Sequence, residues 1–460
     1  MMRALVELCP ERATYISVGQ RPTCRAHNRI KAVGLAHYGG QCLRNIRKAY
    51  SLEIFCAPLR RALPYANIRK AFGLVSKAAF AASLFPWASH VHALIIYNGE
   101  SPEDSAYETT AGMPAGLEAL WDSVAFVSWT PNTFGASAVC LGGGFFLTAK
   151  HVWEVGHSQQ VAINNAPYLL DTSFGSNGIL NVEGIPGVTP AVDLKIFKVL
   201  SPPALPAVTL NRRRADVPRN GYAIGCGLGK GAAAAGEGWA WGGNATRAKR
   251  WGAVRITEQG VAEPLGSCLL SVFSTDYGAD VASATLGDSG SGMFQKIRGE
   301  WVLSGITVAV TTNGSSHYNR GGGSPPDPDA TLYVRIADYA DAILSATSDI
   351  TVGGVAIPGL WFRTHYPATA FCHYAALAGQ AAANGVNTVA ECYIAGLDPT
   401  DAASRFRATI AFSNNAPHIA WSPDLTPSRT YHVEGKTNLT DTTWCPTNNA
   451  TRFFKVRVEM

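Results

Sequence analysis

Charge is scarce in this chain. Only 15% of its 460 residues are Asp, Glu, Lys or Arg, too few for a disordered protein kept open by self-repulsion. Long apolar runs are missing as well. None approaches the length of about 18 residues that a spanning helix requires, and Lys77 breaks the best candidate. No integral membrane span is therefore expected. There is no CxxC pair, and the histidine spacing does not suit a zinc finger, so neither a metal nor a cofactor is predicted. Methionine is rare, with none between Met2 and Met113. Apolar residues (47%), 46 glycines and 26 prolines are plentiful. That composition favours a turn-rich, mostly β protein with a large core, long enough for two domains.

The net charge of +5 is unevenly spread. Residues 1–93 carry 14 Lys/Arg against 3 Asp/Glu, and residues 94–460 carry 24 against 30. A nucleic-acid binder would keep its positive charge on the folded part, so no nucleic-acid partner is predicted. Residues 68–93 instead read as an address. Arg69, Lys70 and Lys77 make a basic start, residues 78–88 an apolar stretch, and Val91-His92-Ala93 a small-residue cleavage signal. The expectation is export, to the outside or the cell envelope, after cleavage at Ala93. Residues 1–93 are then a basic extension, and translation is expected to begin inside it, at Leu59 or Leu63. Arg60-Arg61 hints at a twin-arginine signal, which the residues after it fit poorly. Cys140, Cys226, Cys268, Cys372, Cys392 and Cys445 follow the extension. They suit an oxidising destination and leave 15 pairings open.

Three segments carry chemistry. Residues 145–151 (FFLTAKH) are an apolar strand that runs into His151. Residues 191–197 (AVDLKIF) open a strand with Asp193. Residues 286–292 (LGDSGSG) set Ser289 in a tight glycine turn. A serine hydroxyl needs a neighbouring base to act as a nucleophile, and imidazole is the side chain that titrates near neutrality. The imidazole needs a carboxylate to fix its tautomer. Glycines let backbone N–H groups converge on a developing oxyanion.

In this order the segments resemble the three motifs of the chymotrypsin/trypsin-like serine proteases. His151 and Asp193 lie 42 residues apart, and Asp193 and Ser289 96 apart; the family spacing is about 45 and about 93. The resemblance covers residues 120–346. It implies an all-β fold of two antiparallel six-stranded barrels and a closing helix, in a protease domain spanning 94–348. It also implies His151, Asp193 and Ser289 as catalytic residues, with the N–H groups of Gly287 and Ser289 as the oxyanion hole. Residues 301–310 look like the pocket-wall strand of the family, and residues 225–231 read as a flexible strand and loop rather than a phosphate loop.

The departures bear on specificity. Val152 and Thr285 stand where the family usually has cysteines, and Val308 where it has a serine near the aspartate. Ser283 stands at the position that lies at the pocket base in the family, and Val310 at a family wall position often held by glycine. Ser283, Val308 and Val310 together predict cleavage after small or medium uncharged residues. Asp288 is the candidate partner for a freed N-terminal amine, which cleavage after Ala93 would place on Leu94.

Residues 349–460 differ in character. An Ala-rich, helix-compatible stretch (373–396) precedes short alternating strands. This resembles a C-terminal module of exported bacterial proteins, a helix followed by a small β-sandwich. Ala381, Ala382, Ala383 and Asn384 stand where calcium-binding versions carry aspartates, so a structural turn is expected there. The module is predicted to serve attachment, targeting or docking, with a cell-surface or envelope partner. The leading expectation is an exported serine endopeptidase acting on proteins or peptides. The alternatives are a non-catalytic binding protein on a protease scaffold and a quality-control protease of the export compartment.

Overall fold

The computed structural model describes residues 4–8, 94–100, 104–129, 135–152, 159–234, 237–311, 314–318, 328–413, 416–438, 440–447, 451 and 453–460. The signal-like segment 68–93, Arg60-Arg61 and the proposed start sites lie outside them. These residues fall into two compact units. One holds 94–179 and 192–336; the other holds 4–8, 180–191 and 337–460. The helix Ala340–Thr347, expected to close the protease domain, groups with the second unit.

The first unit is built of β-strands. Its N-terminal half contributes β1 (Val124–Ser128), β2 (Ala136–Gly142), β3 (Phe145–Ala149), β4 (Gln160–Ile163), β5 (Ala166–Leu169), the first residue of β6 (Ile179–Asn181), which runs on into 180–191, and β7 (Leu194–Lys198). They form one sheet in the order β5-β4-β1-β2-β3-β7-β6. β3 and β7 are neighbours in this sheet and almost wholly buried. Phe146 and Phe197 stack across this pair at 5.1 Å, and Trp129 meets Phe197 edge-on at 5.4 Å. This seven-stranded sheet is a curled half-barrel, consistent with one half of the double-barrel architecture expected. The strands at its edges are only three or four residues long.

The C-terminal half does close. β8 (Arg219–Gly225), β9 (Arg250–Ala262), β10 (Gly266–Val272), β11 (Gly292–Ile297), β12 (Glu300–Val310) and β13 (Ala330–Arg335) form an antiparallel barrel in the order β8-β9-β10-β13-β12-β11. Ile224, Ile256, Leu269, Met293, Phe294, Leu303, Ile306 and Val334 are buried, and burial of such side chains is the main term holding a barrel closed. Arg335 clamps the buried Asp216 through Nε at 2.9 Å and Nη2 at 2.6 Å. Residues 94–100 and 104–123 contact the same half. Tyr107 donates to Asp280 at 2.6 Å, Arg250 pairs with Glu108 at 2.8 Å, and Lys230 pairs with Asp104 at 3.0 Å. The architecture is all-β and chymotrypsin-like.

The second unit combines short helices with two β-layers. Phe362 of the helix Gly359–His365 stacks on Tyr374 at 5.0 Å over a core that includes Ala378, Val389 and Ala390. The helix Val389–Ala395 starts at a Thr388–Glu391 capping box and stops at Gly396, whose φ is 68°. Strand Phe453–Glu459 lies between Thr430–Lys436 and Ala4–Leu8. The hairpin Arg407–Ser413/Ala416–Ser422 contributes Trp421, which stacks on Tyr431 at 4.8 Å. At the expected turn, Asn384 Oδ1 accepts the N–H groups of Val386 and Asn387, and its Nδ2 donates to Ser404 O at 2.9 Å. The six cysteines named above are unpaired. Cys372 and Cys445 are exposed and the other four buried.

Candidate functional site

Strand pairing brings the histidine and the aspartate together. The β3–β7 ladder ends where Ala149 faces Leu194, and one further bond runs from Lys150 N–H to Asp193 O at 3.2 Å. His151 follows in a single helical turn, Lys150–Val152. Its ring Nδ1 lies 2.6 Å from Asp193 Oδ2, and its backbone N–H donates to Asp193 Oδ1 at 2.9 Å. Both carboxylate oxygens are thus engaged by one residue, without the serine that the family usually supplies at the position of Val308. Asp193 is buried, while His151 is half-buried and reachable.

Ser289 arrives from the turn before β11. Its Oγ stands 2.9 Å from His151 Nε2. Several bonds hold the turn. Ser137 of β2 donates its N–H to Ser289 O at 2.9 Å and its Oγ to Gly287 O at 3.1 Å, and accepts the N–H of Cys226 on that Oγ at 3.1 Å. Thr148 in turn donates to Ser137 O at 2.7 Å. Ser291 Oγ meets Thr307 Oγ1 at 2.6 Å. Gly290 has a φ of 87°, and a Cβ there would overlap Ser137 O and Thr148 Oγ1, so only glycine passes between these strands.

Asp288 is fully enclosed. Its Oδ1 accepts from Gly227 N–H at 2.8 Å; its Oδ2 accepts from Thr285 N–H at 2.8 Å and Thr285 Oγ1 at 3.0 Å. Burial pushes its pKa up to about 6, against the opposing pull of these bonds and of the Arg247 charge. Leu94, Ile95 and Ile96 are buried as well. Ile95 pairs with Ser283 and Ile96 with Ala282 in a short antiparallel ladder. Gly225 separates Leu94 from Asp288: a Cβ on it would overlap Asp288 Oδ1 and touch Leu94 Cδ2 at 3.4 Å. The first residue after the predicted cleavage point therefore sits beside the predicted pairing carboxylate.

Of the expected specificity residues, Ser283 and Val308 are buried and Val310 is half-buried. Val310 pairs with Thr331, whose Oγ1 accepts the N–H of Ala284 at 3.2 Å. Three contributors escaped the sequence reading: Ser137, the Thr285 hydroxyl and Arg247. A polar residue inside the apolar run Ala136-Ser137-Ala138 is the one signal that marked the first of them. Among the described residues no cluster of His, Cys, Asp and Glu is arranged to hold a metal.

No protein-family model matches this chain, and no curated protein matches it. Solved structures do. Rv3671c of M. tuberculosis H37Rv, a serine-to-alanine mutant in its inactive form, aligns at 12% identity and a TM-score of 0.32, over 54% of this chain and 97% of that one. Neuropsin, a serine protease expressed in the limbic system of mouse brain, aligns at 14% identity and a TM-score of 0.35, over 50% and 96%.

Proposed function

We propose that this chain is an exported serine endopeptidase that cleaves peptide bonds through an acyl-enzyme. One observation carries the reading: the continuous line from Ser289 Oγ through His151 to Asp193, at 2.9 and 2.6 Å. In this mechanism His151 Nε2 takes the Ser289 proton as Oγ adds to the scissile carbonyl. The carbonyl oxygen becomes an oxyanion held by the N–H groups of Gly287 and Ser289. Asp193 holds the imidazole tautomer and balances the imidazolium. The imidazolium then protonates the leaving amine and the C–N bond breaks. Water, deprotonated by His151, attacks the acyl-enzyme; the acid leaves and the proton returns to Ser289.

Cleavage after small or medium uncharged residues follows from the Ser283 hydroxyl at the pocket base and the Val310 side chain on its wall. Cleavage after Ala93 would free the amine of Leu94 to pair with Asp288; the burial of Leu94 beside that carboxylate supports this. The second unit serves attachment to an envelope or surface partner.

The test is fluorophosphonate labelling of the full chain beside Ser289→Ala and His151→Ala, with N-terminal sequencing of the product. Labelling lost in both variants is expected. A folded wild type that does not react, before or after limited proteolysis, leaves the non-catalytic scaffold as the reading.

A further inference from the structure

Arg247 takes no part in the mechanism above, yet it stands against the nucleophile turn. Only 8% of it is exposed. Its Nη1 donates to Gly135 O at 3.1 Å and to Cys226 O at 3.2 Å, and its guanidinium carbon lies 5.3 Å from the centre of the Phe126 ring. Its Nη2 is buried and has no hydrogen-bond partner among the described residues. The guanidinium rests on Gly287. A Cβ on that glycine would overlap Nη1 and stand 3.1 Å from both Cζ and Nη2, and the glycine φ is 97°. Burying a cation whose bonds are incompletely met is costly. Packing alone would be served as well by an apolar side chain of this length.

Taking the hydrolase reading as its basis, we propose that Arg247 is a positioning residue for the oxyanion site, bracing Gly287 so that its N–H keeps a fixed direction. Two contacts then lock one peptide segment. Ser137 Oγ holds the Gly287 carbonyl at 3.1 Å, and the guanidinium, itself tied to two carbonyls on neighbouring segments, blocks movement on the α-carbon side. A donor fixed before the reaction stabilises the oxyanion without reorganisation. Arg247 touches no reacting atom in this scheme, so its effect falls on the chemical step and not on substrate binding.

The test uses the full chain with a peptide that the wild type cleaves, comparing Arg247→Gln and Arg247→Lys. Loss of a well-aimed oxyanion donor lowers kcat about 100- to 1,000-fold. A loosened donor should forfeit part of that, so R247Q is expected to lose about 10- to 100-fold in kcat with KM within about threefold. R247K keeps the charge but not the fork that spans two carbonyls, and should fall between. In a Ser289→Ala background, Arg247→Gln should leave the affinity for the uncleaved peptide unchanged, which a general distortion of the site would not. A kcat within about twofold of wild type, or a loss confined to KM, overturns the proposal. If Gln at 247 prevents folding, the folded Lys variant decides: reduced kcat at constant KM supports the proposal and wild-type kcat overturns it. A wild type that is inert towards fluorophosphonate fails for a different reason, because it removes the hydrolase reading itself.

Discussion

Ser137 offers the sharpest test of how the nucleophile turn is held. Its hydroxyl is fully buried, donates to Gly287 O at 3.1 Å and accepts from Cys226 N–H at 3.1 Å. Ser137→Ala removes both bonds and leaves an N–H and a carbonyl buried without those partners. Each orphaned group costs about 1–3 kcal/mol, and the change of side-chain volume is too small to admit water or to offset the loss. The expected destabilisation is about 2–6 kcal/mol. Urea or guanidinium unfolding of the full chain measures it, with the transition of the first unit followed through its tryptophans. Activity should suffer independently. A Gly287 carbonyl released from Ser137 lets the peptide rotate, and kcat should fall by about tenfold or more. Thr148→Val is the control. It removes the 2.7 Å bond to Ser137 O but spares the Ser137 hydroxyl, so it should cost about 1–2 kcal/mol with a smaller effect on kcat. A Ser137→Ala protein within about 0.5 kcal/mol of wild type, with kcat/KM within about twofold, would falsify the clamp.

Asp193→Asn should leave substrate affinity intact while lowering kcat by about 10⁴-fold at neutral pH, because the amide favours the wrong imidazole tautomer; steady-state kinetics on the best peptide decide, and a loss under tenfold counts against the role of Asp193. Asp288 makes stability depend on pH. With a folded pKa of about 6 against an ordinary 3.8, the folded state holds a proton between these values that the unfolded state has released. Stability should therefore fall as pH rises through that window and level off above it, by about 3 kcal/mol in total. Unfolding curves of wild type and Asp288→Asn from pH 4 to 7 isolate this part, and a difference that stays flat across the range contradicts it. Val310→Gly should widen the pocket and move the peptide-library profile towards aromatic residues at the cleavage site; an unchanged profile removes Val310 from the specificity reading. Asn384→Ala should cost about 1–3 kcal/mol, since the N–H groups of Val386 and Asn387 lose their acceptor at Oδ1 and Ser404 O loses its donor. A thermal melt checks this, and a chelator should leave the wild-type melt unchanged.

What could be read in the chain beforehand divides along physical lines. His151, Asp193 and Ser289 were legible because each lies at a junction that local sequence dictates. Apolar strand runs end at the first two, and a glycine turn surrounds the third. The β3–β7 register then fixes the approach of the first two, since a pairing that ends at Ala149 and Leu194 leaves His151 beside Asp193. The closed barrel was legible for a similar reason, as its strands are long and richly apolar. The strand order of the curled half-barrel was less legible, because the pairing of three- and four-residue edge strands is not encoded by periodicity within a strand. Ser137 and Arg247 were harder still. They lie about 40 or more residues from Ser289 in sequence, within segments that read as an ordinary strand and a short basic loop, and only the meeting of several strands gives them a neighbour to hold. A basic trio such as Arg247, Lys249 and Arg250 reads in sequence as a solvated loop, yet Arg247 and Arg250 are buried. In a chain so sparing of charge, a cluster of basic residues beside the nucleophile turn is better explained by what it holds inside than by the solvent outside.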